Sequence, residues 1–141
     1  MAHAAELDIL WLDEPVSCDN LAGLREVRDR VDAHVTAGEY CPDLRYYQCI
    51  CAADALDCVQ VDVSRWGDQR MASHCCSRGG HGLEFSGHCA PHLSVHVAAA
   101  NPTFCHMEWF HGHVAEKERF FEGCLDPDGG VLTPDAAVAT D

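Results

Sequence analysis

Three observations predict an α/β fold with parallel strands. Short apolar runs recur along the 141 residues, a helix-like segment separates each run from the next, and each run closes on a polar or charged residue. Strands that alternate with helices join in parallel through right-handed crossovers. Parallel strands covered by helices are short and apolar, as these runs are.

The elements follow in order. "DILWLDEP" is an apolar strand ended by Pro15. "SCDNLAGLREVRDRV" offers Ser17, Asp19 and Asn20 as helix caps, and Leu21, Leu24, Val27 and Val31 keep helical spacing. "AHVTAGEY" is a short strand ending in Gly38-Glu39, and "CPDLRYYQCICAADAL" has Pro42 and Asp43 where a helix would start. "DCVQVDV" is a strand ending near Asp62, "LEFSGHC" one ending at His88, and "FCHMEWF" the last. The Ala-rich "PHLSVHVAAAN" reads as a helix. Strands are thus predicted at 8–13, 35–39, 58–62, 83–88 and 104–108. Between Asp62 and His88, "DQRMASHCCSRGG" makes a poor crossover helix because Gly79-Gly80 interrupts it. A frayed surface helix or a locally shifted reading frame would give that pattern. Beyond "WFHGHV" the chain becomes an acidic, Gly/Pro-rich tail.

Composition narrows the function. The formal charge is −14, from 23 acids against 9 Lys and Arg, which argues against nucleic acid and anionic membranes as partners. No apolar run approaches the roughly 20 residues of a membrane helix. The N-terminal stretch has no basic segment and carries acids early, so a cytoplasmic location is expected. The ten cysteines contain no C-x-x-C pair, and without a secretory signal a disulfide scaffold is not expected. Cys49, Cys51 and Cys58 lie among Ile50, Ala52, Ala53, Ala55 and Leu56 and read as buried free thiols.

Each strand closes on a residue that can do chemistry: Asp13 or Glu14, then Glu39, Asp62, His88 and Glu108. In parallel α/β folds, chemistry sits at that edge. Acids near helix N-termini are also ordinary loop residues. Adjacent residues in a strand point to opposite sides, so only one of Asp13 and Glu14 faces such an edge.

These residues, in order, resemble the mandelate racemase branch of the enolase superfamily, whose pattern is E-E-P, then G-E, Asp, His and Glu on strands 4 to 8. Asp13 of "DEP" stands at the first Glu. Glu39 follows 26 residues later, Asp62 another 23, His88 another 26 and Glu108 another 20. The His88 interval is one residue short of the family's. The resemblance implies a partial (β/α)8 TIM-type barrel covering strands 4 to 8, with helices outside. The barrel part would run over 1–113, and 114–141 would be a partly irregular C-terminal extension. It also implies chemistry. Asp13 faces the barrel mouth as a metal ligand with Glu39, and Glu14 faces away. Mg²⁺ binds a sugar acid or 2-hydroxy acid and stabilises the enediolate formed when the proton alpha to the carboxylate leaves. His88 is the general acid/base, Asp62 orients its ring, and Glu108, protonated, donates a hydrogen bond to the enediolate. The activity implied is acid-sugar dehydratase or racemase.

Departures from the pattern shape further expectations. Strands 1 to 3, with one metal-ligand Asp and the Lys bases, are not represented, and Asp replaces Glu at position 13. Weak Mg²⁺ binding is expected, together with self-association through open sheet edges and an apolar barrel interior. A catalytically inactive barrel remnant is one alternative. A Cys/His metal-binding module around "SHCC" (73 to 76) or "GHCAPH" (87 to 92) is another. His92 and His96, four apart, read as core or surface histidines, His111 and His113 as loop residues, Trp109 and Phe110 as packing residues, and Glu116, Glu118 and Glu122 as a solvated face.

Overall fold

The computed structural model describes residues 6–66 and 82–135. The strands are β1 (Trp11–Asp13), β2 (His34–Ala37), β3 (Cys58–Val61), β4 (Glu84–Gly87) and β5 (Phe104–Met107). The helices are α1 (Leu21–Arg28), α2 (Leu44–Ala52), α3 (Val63–Trp66), α4 (Pro91–Ala98) and α5 (His111–Lys117). All four strand pairs are parallel, in the sequential order β1-β2-β3-β4-β5. This is a partial barrel. The sheet curls until the Trp11 ring on β1 meets the His106 ring on β5, their centroids 3.2 Å apart. The poor crossover helix read from 68–80 lies outside the described residues. No helix among the described residues is long and apolar enough to cross a membrane.

Local chemistry sets the helix starts. The Asn20 side chain accepts from Gly23 N–H at α1, and Asp43 accepts from Tyr46 N–H at α2, each satisfying an otherwise unpaired donor of the first turn. Pro91 opens α4, where its missing N–H costs nothing. Asp57, just before β3, ties two layers together. Its carboxylate accepts from Arg28 Nε of α1 at 2.8 Å and from the Val35 amide of β2 at 2.9 Å.

The two sheet faces differ in kind. Val35, Ala37, Val59, Val61 and Phe85 point outward and pack on Leu24, Tyr47, Ile50 and Leu56 in one core. Residues alternating with them face the concave side, and there the expected apolar interior is corrected. The inner positions are His34, Thr36, Cys58, Gln60, Glu84, Ser86 and His106. Thr36, Gln60 and Ser86 are fully buried. The Thr36 and Ser86 hydroxyls and both polar atoms of the Gln60 amide have no hydrogen-bond partner among the described residues. The outer face alone carries the apolar drive, so period-two runs conceal polar inner positions.

Three smaller readings change as well. β1 is shorter than read: Leu10 is 80% exposed and Ile9 also lies outside the strand. Among the described residues β1 pairs on one side only. His111 and His113 belong to α5, not to a loop. Phe110 supplies the extended cap residue, and Val114 is buried beneath the helix. Cys51 and Cys58 are buried, but Cys49 is exposed, because a helix buries only one face.

Gly38 follows β2 with φ +131°, and a Cβ there would lie 2.6 Å from the Gln60 carbonyl oxygen. Both the backbone conformation and the close approach require glycine. Gly38→Ala is expected to destabilise the fold by roughly 2 kcal/mol or more. Urea unfolding monitored by circular dichroism would check this.

Candidate active site

The C-terminal ends of the strands converge on His88. The register pairs Val61 with Gly87, so the next residues, Asp62 and His88, emerge side by side. His88 N–H donates to the Val61 carbonyl, which fixes the ring's origin. Its Nδ1 lies 2.9 Å from Asp62 Oδ2. Its Nε2 lies 3.0 Å from Glu39 Oε2 and 3.8 Å from Glu108 Oε2. Carboxylates thus address both ring nitrogens. Phe110 meets the ring edge-on at 6.0 Å.

Asp62 is the most tightly held acid of the group. Burial alone would raise its pKa, but hydrogen bonds from Ser64 and His88 outweigh burial and lower it. Its Oδ1 accepts from the Ser64 amide at 2.8 Å and the Ser64 hydroxyl at 2.6 Å. Arg65 Nε is 3.4 Å from Oδ2, and its guanidinium lies over the Tyr40 ring. Asp62 is therefore ionised and fixed, as a group that orients a neighbouring imidazole must be. Ser64 and Arg65 escaped the sequence reading. The D-x-S-R run was their signal, since a Ser two residues after an Asp at a strand end closes a side-chain turn.

Asp13 and Glu14 behave differently from each other. Partial burial, Glu108 and Glu39 raise Asp13 to about 6, while His88 and His106 pull it down. Asp13, Glu39, Glu108 and His88 therefore share one electrostatic neighbourhood. Glu14, at φ +40°, does not simply face away. Burial, Glu39 and Asp13 raise its pKa, and the Gly38 N–H opposes them. Its Oε1 and Glu108 Oε2 are buried without a hydrogen-bond partner among the described residues. All five residues singled out from the sequence thus come together at one end of the sheet, with Glu14 beside them.

A hard divalent cation fits this donor set in kind. Asp13 and Glu39 offer carboxylate oxygens, which Mg²⁺ prefers, and positive charge would offset the repulsion from Glu108 and Glu39 that adds to burial in raising Asp13. The set is not closed, however. No group of three His, Cys, Asp or Glu among the described residues is arranged to hold a metal, and Glu39 is occupied by His88. The Cys/His alternative fares differently at its two places. "SHCC" lies outside the described residues. In "GHCAPH", Cys89 Sγ is 3.4 Å from His88 Nε2, but His92 accepts from the Leu125 amide.

Comparison with known proteins agrees with the fold. The family model described as enolase C-terminal domain-like matches residues 1–137. A mandelate racemase/muconate lactonizing enzyme-like protein from Rubrobacter xylanophilus is 38% identical with a TM-score of 0.83, over 95% of this chain and 38% of its own. An enolase from Bradyrhizobium, complexed with magnesium and mandelic acid, is 28% identical with a TM-score of 0.70, over 77% of this chain and 30% of its own. An L-talarate dehydratase from Polaromonas sp. JS666, complexed with Mg and L-glucarate, shares the fold at 21% identity and a TM-score of 0.80, over 93% of this chain and 36% of its own. No curated protein matches. The chain therefore spans less than half the length of these solved relatives, and it belongs to the enolase C-terminal domain-like family, within its mandelate racemase and muconate lactonizing enzyme group.

Proposed function

We propose that this chain carries the His-containing half of a Mg²⁺-dependent site that removes the proton alpha to a carboxylate, in an acid-sugar dehydratase or racemase. The carrying observation is His88, held by Asp62 on Nδ1 and turned through Nε2 toward Glu39 and Glu108. In this reading Nε2 takes or returns the proton, and Asp62 orients the ring and stabilises the imidazolium that forms. Glu108 would donate a hydrogen bond where negative charge develops on the substrate. Asp13 and Glu39 would hold the cation. Bound Mg²⁺ would supply positive charge beside the substrate carboxylate. The substrate is a sugar acid or 2-hydroxy acid, the class of small acids in the magnesium-bound relatives from Bradyrhizobium and Polaromonas. The compartment is the cytoplasm. Copies associate through the edges that β1 and β5 leave unpaired among the described residues, which light scattering on the purified chain would detect.

A second reading, an inactive barrel remnant, draws on the Glu39–His88 contact at 3.0 Å. A ligand carboxylate that satisfies the base is unavailable to a cation. The two readings separate in D₂O with Mg²⁺ and a panel of sugar acids. Exchange of the alpha proton that disappears in His88→Asn supports the working half-site; no exchange under any condition supports the remnant. Racemisation is not expected in either case. It needs a second proton-transfer group on the opposite face of the substrate, and the chain's single lysine, Lys117, lies in α5.

Asp13 gives a test independent of turnover. Its pKa is raised from 3.8 to about 6 on folding, so the folded state holds its proton more tightly than the unfolded chain. Ionisation of Asp13 therefore opposes folding. The cost is absent below about pH 4, grows through about pH 6 and is fully present above it. Without metal, Asp13→Asn should stabilise the chain at pH 8 by roughly 1 kcal/mol, a figure discounted for solvent screening, and have little effect at pH 4. Mg²⁺ should raise the wild-type melting temperature at pH 8, and Asp13→Asn or Glu39→Gln should remove that rise. Thermal melts at the two pH values, with and without Mg²⁺, check both expectations.

A further inference from the structure

The lower part of the concave face carries a second cluster that the proposed reaction does not use. It begins with an irregularity in the strand pairing. Phe85 pairs with Phe104, but Ser86 pairs with His106, so Cys105 is an extra residue bulged out of β5. In a regular strand Cys105 and His106 would face opposite sides. The bulge turns both toward the concave side, and Cys105 Sγ comes within 3.0 Å of His106 Nδ1. Cys58, an inner residue of β3, brings its Sγ to 3.5 Å from Cys105 Sγ. Cys58 is buried, whereas Cys105 is exposed. Cys58 and His106 both line an open cavity of about 720 Å³ with Leu10, Trp11, His34, Glu84 and Met107.

We propose that Cys105 is a nucleophilic thiol, activated by contact with His106 and Cys58, that forms mixed disulfides with low-molecular-weight disulfides reaching its exposed side from solvent. The thiolate of Cys105 attacks one sulfur of the incoming disulfide. A new S–S bond forms at Cys105, the old one breaks, and the second thiolate leaves and takes a proton from water. No further oxidant is needed.

Charge and hydrogen bonding support the assignment. Cys58 as S–H donor and His106 bring the Cys105 thiol down to about 5, against burial and the Glu84 carboxylate. The Phe85 carbonyl, 3.2 Å away, accepts from the thiol form and so also opposes ionisation. Around the cluster the titratable groups are Glu84 on β4 and His34 on β2, themselves 3.4 Å apart, and Asp13 on β1, which feels the charge of His106. Cys58 acts as donor rather than as the residue that resolves the mixed disulfide. Its strand lies beyond β4 from β5, which sets the two backbones roughly 9 Å apart, too far for an intramolecular bridge without backbone movement. The modification should therefore persist until an external thiol removes it. This inference is independent of the proton-abstraction reading.

The test is alkylation of the full chain by iodoacetamide as a function of pH, with each modified cysteine located by fragmentation mass spectrometry. At pH 6 a thiol near 5 is about 300-fold more ionised than one of the usual ~8.5, while its intrinsic nucleophilicity falls by roughly 30-fold to 50-fold. Cys105 should thus react on the order of tenfold faster than a cysteine peptide standard at pH 6, and no faster at pH 9. His106→Asn should remove the advantage at pH 6, as should Cys58→Ser if the buried position tolerates it. Glutathione disulfide at pH 6.5 should place one thiol adduct on Cys105 before the exposed Cys49. A Cys105 rate at pH 6 equal to the peptide's and unchanged in His106→Asn would overturn the proposal, as would adducts favouring Cys49.

Discussion

The register of β3 against β4 is the constraint on which the site rests. Val61 opposes Gly87, and the chain continues from both into the same opening, so the Asp62–His88 hydrogen bond is set by backbone pairing. A slip of one residue would send His88 to the outer face with the apolar set. That slip is resisted from the other side of the sheet. Val59, Val61 and Phe85 are buried against α1 and α2, and each would be exchanged for a polar neighbour. The outer core thus fixes where the side chains of the inner face are presented.

The same logic places the other acids. Glu39 follows the left-handed Gly38, whose close approach to Gln60 turns the chain at the end of β2. Glu108 follows β5, and its amide donates to the Gly87 carbonyl. The Glu14 amide donates to the Thr36 carbonyl, extending β1 just far enough to present Asp13. Asp13 is the last residue of β1, and Glu39, Asp62, His88 and Glu108 lie one or two steps past β2 to β5, where the last ladder bond of each strand fixes their direction. Carboxylates are brought together here in partial burial, and burial first, then their mutual repulsion, raises Asp13 and Glu14.

Much of this was legible in the sequence, for definite reasons. Apolar runs and their spacing reported the strands, because helix-covered strands must be apolar on the outer face. The ordered intervals from Asp13 to Glu108 reported that these side chains converge, because a parallel repeat returns each strand end to the same edge. What stayed hidden depended on two-versus-one pairing or on neighbours distant in sequence. The bulge at Cys105 adds one residue and leaves no compositional trace. The polar concave face was masked because Thr36, Cys58, Gln60 and Ser86 alternate with valines and phenylalanine in short runs. The helix at His111 was obscured by Gly112 within its first turn, and its driving residue, Val114, is a single buried contact.

The contact between Trp11 and His106 joins the first strand to the last across the open side of the trough. Trp11 therefore reports on curvature. Flattening of the sheet would part the two rings and change the surroundings of the indole, so a shape change too small to alter helix content would still register in the emission of Trp11, read in a chain whose other two tryptophans, Trp66 and Trp109, are replaced by Phe.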